Sequence, residues 1–299
     1  MRPLLRIVPT LLLLACGTQP AGGPVPTGFT LPDGVTLVDA GRGQPVPTGV
    51  LLQRIGDADF VLLGEVHDNT VQHRVRGELI TAFAGRHPAI AFEQFAASDS
   101  AIPRPAAGAS LEGWLDQHGF DRKAWRWPLH QPVVEAAITS GGGLWGSGVS
   151  REELRAIVRG GESAAPAPLR TILAGAPLDS AGQAAIDAEL IEGHCGKLPP
   201  SMVPGMRAAQ ITRDAAMTRA LVHASAAGPA WLIAGNGHVR RDMGVPRLLA
   251  SAAPGRKILV VGLLERESDG SAPSAESRRP YDLVLITPRA ERDDPCAGI

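Results

Sequence analysis

The stretch that most constrains this chain is Phe60-Val-Leu-Leu-Gly-Glu-Val-His-Asp-Asn-Thr70. Four apolar residues at 60–63 have the length and composition of a buried strand, and Gly64 ends the apolar run. Glu65 and His67 then stand two residues apart, which sends both side chains to the same side of an extended backbone. Asp68 or Asn69 can cap a following helix, in which Val71, Val75, Leu79, Ile80 and Phe83 recur at helical spacing. A carboxylate and an imidazole are thereby fixed at a strand-to-helix turn, where open α/β sheets hold their ligands. A purely structural reading also fits this stretch alone, with Glu65 as a cap and His67 satisfying a carbonyl.

The same pattern repeats along the chain. Residues 35–38 give a short first strand, 47–57 a helix, 69–84 the helix just described, and 89–94 a strand apolar until Glu93. Buried strands follow at 230–234 and 257–264, and a last one at 281–287 is expected to be antiparallel and at an edge. Successive strand–helix units predict an α/β fold: a mainly parallel central sheet with helices on both faces. From 98 to 137 the pattern changes. A Ser110-capped helix and the cluster of Trp114, Trp125 and Trp127 predict a helical insertion capping the C-terminal strand edge, with His118 and His130 as surface or packing residues. Residues 143–148 form either a short strand or a glycine turn, and Ser150-Arg-Glu-Glu153 is a capping box. A loop at 160–168 and an amphipathic helix at 177–192 follow. The helix at 206–224 places Gln210, Arg213 and Met217 on one face, which either lines a pocket or forms a solvated edge. One domain, 35–299, accounts for all of this.

The N-terminus predicts a compartment. Arg2 and Arg6 precede a short apolar segment at 7–14, and Leu13-Leu-Ala-Cys16 follows. Cys directly after Leu-x-Ala resembles the lipobox of a bacterial lipoprotein. The expected plan is a signal peptide at 1–15, lipidation of Cys16 and a flexible Gly/Pro-rich linker at 16–34. Gly17, rather than Asp, favours the outer membrane, with the domain facing the periplasm. No other run approaches the roughly 18 apolar residues of a membrane span. In an oxidising compartment Cys195 and Cys296 can pair, although sequence gives no distance between them. A formal charge of -1 supplies no field for neutralising phosphates, so nucleic acid is not expected as a partner.

Three strands end in polar groups: Glu65 with His67, then Glu93, then Gly235-Asn-Gly-His238. In a parallel sheet these converge at one edge. Two imidazoles and one or two carboxylates suit general acid–base work or a divalent metal. HExxH, a P-loop, a GxGxxG at a first strand and a GxSxG nucleophile elbow are all absent, which removes the commonest zinc-protease, nucleotide and serine-hydrolase readings.

The paired motifs Gly64-Glu-Val-His67 and Gly235-Asn-Gly-His238 resemble those of the Tiki superfamily, which includes TraB proteases, erythromycin esterase-like proteins and ChaN-like haem-binding lipoproteins. Ala91-Phe-Glu-Gln94, Gly193-His-Cys-Gly196, Ala209-Gln-Ile-Thr-Arg-Asp214 and Gly244-Val-Pro246 are similar to the ChaN-like branch. The resemblance runs collinearly over residues 37–288. It implies a haem-binding protein with a role in iron uptake, with haem as cofactor and partner, a lipid-borne membrane contact and a second copy of the chain as a candidate partner. It implies His67, His73, His194, Arg213 and His238 as haem-binding residues. That branch is associated with tyrosine ligation, and the single tyrosine here is Tyr281. The protease and esterase relatives imply an alternative, a metal-dependent hydrolase. In it Glu65, His67, Glu93 and His238 are catalytic, and Mn, Co or Zn is held by His67, Glu93 and His238. Glu93 then acts as base and Arg213 stabilises an oxyanion. A third reading is a lipid-anchored scaffold with a vestigial site.

Overall fold

Each apolar run becomes a strand because alternate residues find a different apolar layer on each side of a single sheet. The computed structural model describes residues 23–294 and 296–297. Its strands are β1 (Thr36–Asp39), β2 (Phe60–Leu63), β3 (Ala89–Ala96), β4 (Leu144–Gly148), β5 (Ala230–Ile233), β6 (Ile258–Glu265) and β7 (Leu283–Thr287). They lie in the order β1-β7-β6-β2-β5-β3-β4, parallel except for the pairing of β1 with β7. The helices are α1 (Thr48–Asp57), α2 (Thr70–Ala82), α3 (Leu111–Gln117), α4 (Gln131–Thr139), α5 (Arg151–Gly160), α6 (Ala167–Gly175), α7 (Ser180–Gly193), α8 (Val203–Ala224), α9 (Asn236–Val239), α10 (Val245–Ala252) and α11 (Ala275–Arg278).

Val61, Leu63, Ile90, Phe92, Trp231 and Ile233 point to one face, where Leu51, Val75, Leu79 and Val133 bring in α1, α2 and α4. Phe60, Leu62, Ala91, Leu232 and Val260 point to the other, where Met217 and Leu221 of α8 and Val245 and Leu249 of α10 cover them. Each such fully buried side chain contributes roughly 1.5–3 kcal/mol. Both faces of the central strands are therefore shielded, as a parallel sheet requires.

Register places the site. Leu63 pairs with Ile233 of β5 and Val261 of β6, and Phe92 of β3 also pairs with Ile233. The ends of β2, β5 and β3 are thus level. Glu65 and Gly235 each lie two residues past that line, and Glu93 lies one past it.

Several expectations are corrected. β7 is not an edge strand: it runs parallel to β6 and antiparallel to β1, which takes the edge. Residues 143–148 resolve as strand rather than turn. Helices α6 and α10 are additional to the expected elements; each carries a proline in its first turn, Pro168 and Pro246, and each is held by packing against α8. The insertion is shorter than 98–137, because α4 packs on α2 as the ordinary crossover between β3 and β4. Part of the linker is no stalk. Val25, Phe29 and Leu31 pack on the core, since three apolar side chains within seven residues gain more by burial than by hydration. Cys16 and the signal peptide lie outside the described residues, and among those described no helix is long and apolar enough to cross a membrane.

Candidate functional site

The turn after β2 is fixed before any ligand arrives. Asn69 caps α2 by accepting the Gln72 amide at 3.1 Å, while its own amide nitrogen donates to Glu265 and to the Pro288 carbonyl. Gln72 in turn accepts the Val66 amide at 2.6 Å. This holds Glu65 inward, 2% exposed, and His67 at the mouth of the cleft with 46% of its side chain open.

Glu65 is the hub of a buried polar cluster. Oε1 meets His67 Nδ1 at 2.6 Å, accepts from Gln94 Nε2 at 3.0 Å and lies 3.3 Å from His130 Nε2. Its other oxygen is paired with the guanidinium of Arg76, which is fully buried on α2. With that cation neutralising the carboxylate, His67 Nδ1–H donates and His67 Nε2 is left as a lone pair facing the cleft. Among the described residues His67 Nε2 has no hydrogen-bond partner. The Trp125 ring, from the insertion, packs T-shaped with the His67 ring, their centroids 5.0 Å apart. Burial, together with the cationic His238 and Arg213, holds His67 below the ordinary imidazole value despite Glu93.

A second carboxylate–histidine pair stands opposite. His238 Nδ1 lies 2.5 Å from Asp214 Oδ1, and His238 Nε2 lies 3.5 Å from Glu93 Oε1. Burial disfavours the imidazolium, but Glu93 and Asp214 outweigh it and raise His238 to about 9. Glu93 also pairs with Arg213 and accepts the Gly235 amide at 2.8 Å. Burial would raise Glu93, yet His238 and Arg213 hold it well below the usual carboxylate range. A Cβ on Gly235 would sit 2.9 Å from His67 Nε2, so glycine there keeps the two halves of the cleft in contact.

Glu65, His67, Glu93, Arg213 and His238 therefore share one cleft, and the face of α8 carrying Gln210 and Arg213 looks into it. Gln210 lies 3.3 Å from His238 Nδ1. Two expected residues are elsewhere. His73 is fully buried behind Glu65, accepting from Arg76 at Nδ1 and donating to the His67 carbonyl from Nε2. His194 is exposed at the end of α7, bonded to Leu190 of its own helix. The lone tyrosine is packing: Tyr281 is 7% exposed, its ring lies on Gly262, and its hydroxyl donates to the Asn236 carbonyl. The cysteines do pair, as a Cys195–Cys296 disulfide.

Sequence reasoning passed over Asp214, Arg76 and His130. Asp214 carried a signal, as a lone acid among the apolar residues of α8. Arg76 stands three residues after His73, on the buried side of α2. His130 was set aside as surface or packing, and it is buried against Glu65.

An arginine stands against each of the two donor sets that could hold a divalent ion. Glu65, His73 and His130 place donor atoms within 4.8 Å of one another. Arg76 already supplies the positive charge there, and both His73 nitrogens are engaged. At Glu93 the Arg213 guanidinium already occupies one carboxylate oxygen and supplies the positive charge. That second set is the one the hydrolase reading needs. A carboxylate held so low is also a weak base.

Residues 51–249 match the family model described as haem-binding uptake, Tiki superfamily, ChaN. No curated protein matches the chain. Among solved structures, ChaN of Campylobacter jejuni, described for its cofacial haem binding, is similar with a TM-score of 0.66 at 20% identity, over 84% of this chain and 96% of that one. The type III effector HopBA1 aligns over 80% of this chain and 94% of its own with a TM-score of 0.41 at 14% identity.

Proposed function

The chain belongs to the ChaN haem-binding uptake family of the Tiki superfamily, and from that footing we propose that it binds haem with His67 Nε2 as the axial ligand. One observation carries the assignment: His67 is the cleft histidine whose outer nitrogen is uncommitted, while its inner nitrogen is held by a buried carboxyl. That pairing fixes the tautomer and the orientation of the ring. Neither Tyr281 nor His73 can compete, because both are buried and bonded within the protein.

The surroundings support a flat, amphipathic ligand. Arg213 also lines a neighbouring trough of about 310 Å³, walled by Leu154, Val158, Leu190 and Met206 and edged by Arg155 and Arg159. Apolar walls suit a porphyrin, and arginines suit its propionates. The cofacial haem binding described for ChaN of Campylobacter jejuni supports pairing of two copies of the chain. The Cys16 lipobox supports work at the cell envelope on a lipid tether, in haem or iron uptake.

Haemin titration tests the reading. The protein should give a saturable Soret shift, and His67→Ala should lose it or weaken it by at least about tenfold. No saturable shift with the native chain would remove the proposal. A shift unchanged in His67→Ala would move the iron to another ligand. Elemental analysis of chelator-free protein addresses the hydrolase alternative, which would require near-stoichiometric Mn, Co or Zn.

A further inference from the structure

On the far side of α8 from the haem cleft lies a cavity of about 340 Å³, enclosed by α6, α7, α8 and α10. Its walls are apolar at Leu173, Leu178 and Ile211, and three arginines reach it: Arg170, Arg207 and Arg247. Two of these are already satisfied. Arg170 donates to the Ser163 and Ala165 carbonyls, and Arg207 pairs with Asp187 at 2.5 Å. Arg247 is different. Its Nε and Nη1 are shielded from solvent and find no hydrogen-bond partner among the described residues. Buried donors left unpaired are costly, and those of a cation more so. The nearby carboxylates do not resolve this. Asp214 spends its short bond on His238, Asp179 caps α7, and Glu162 sits exposed on the rim.

We propose that this cavity is a binding site for a small organic anion, its carboxylate or phosphate group taken by the Arg247 guanidinium and its apolar body by the walls of α6 and α8. A planar guanidinium with adjacent free donors is built for two-point recognition of an oxyanion. The volume suits a compact metabolite. The site is separate from the haem reading, because Arg247 reaches the cleft only through Asp214, which interacts electrostatically with both Arg247 and His238. Burial lowers the Arg247 guanidinium from its ordinary value against the pull of Asp214, Glu162 and Asp179, none of which hydrogen-bonds its Nε or Nη1.

Calorimetric titration of the full chain with hexanoate and with phenyl phosphate tests this, and whichever saturates identifies the head group. One ligand per chain is expected. Arg247→Gln should weaken binding by about tenfold or more, and Glu162→Gln should tighten it by removing a competing carboxylate. Ala174→Trp, which fills the cavity from its rim, should abolish it. Circular dichroism and an unchanged haemin titration show that the variants are folded. Failure of both probes to saturate would overturn the proposal, as would binding that survives Arg247→Gln or Ala174→Trp.

Discussion

Glu65 and Asp214 act alike from opposite sides of the cleft, each holding the Nδ1 of a histidine, yet the two histidines differ in charge. Burial and the cations His238 and Arg213 lower His67; His238 lies between two carboxylates and is raised. Stability should therefore depend on pH in two windows. His73 and His130, lowered by burial to about 4 and about 2, are kept neutral in the fold. Their contribution is complete above 6.5 and is lost as pH falls through the folded values. His238 is the reverse: its contribution is complete below 6.5 and is lost as pH rises through about 9. Urea unfolding should show greatest stability near neutrality, and Asp214→Asn should flatten the alkaline limb. An alkaline limb unchanged in that variant would exclude His238 as its cause. Glu65→Gln leaves Arg76 buried without its counterion, which should cost about 3–5 kcal/mol in the same assay. A loss under 1 kcal/mol would show that Arg76 finds another partner or sheds its proton; burial already lowers it to about 9.

At the scale of elements, the cleft depends on how closely α2 and α4 approach. Gly77 of α2 faces the Pro132 carbonyl of α4, and a Cβ there would come within 2.7 Å of that oxygen. Since α4 begins just after His130, pushing it away also moves that ring off Glu65. Gly77→Ala should destabilise the protein by about 1–3 kcal/mol, although alanine is the better helix former. A neutral or raised Tm would mean that the helices can part without penalty. Helix α8 plays the corresponding part on the other face: Arg213 and Gln210 stand beside Glu93 and His238, Ile211 and Arg207 line the cavity beside Arg247, and Asp214 stands between.

At the scale of the molecule, the C-terminal tail closes over the strand edge. Arg292 pairs with Asp68, next to His67, and with Glu265, and Cys296 then bonds to Cys195 at the end of α7. The sequence separation of 101 makes this a long loop, so in the chain-entropy account the link contributes roughly 4–5 kcal/mol. Cys296→Ser, or reduction of the native chain, should lower unfolding stability by up to about that amount. Haemin binding should be retained, because the tail holds Asp68 and not His67. Equal stability of the oxidised and reduced protein would show that the Arg292 pairs alone fix the tail.

What the sequence determined by itself was local or periodic. Alternating apolar runs set the strands and both faces of the sheet. Asn69, Ser110 and Ser150 set helix starts through their own side chains, and Glu65 with His67 followed from a two-residue spacing. The convergence of Glu93 and Gly235 on them was legible too, because a parallel sheet aligns strand ends. What only the tertiary structure decided was which charges meet. Arg76, His130 and Asp214 sit far from their partners in sequence, and nothing local marks a buried arginine as a counterion. Those encounters raise His238, hold Glu93 below the usual carboxylate range, and leave His67 Nε2 without a partner among the described residues. The edge position of β1, the packing of Val25 to Leu31 and the cavity beside Arg247 are likewise products of packing between distant segments. A single chain records each half of such a contact without recording that the halves touch.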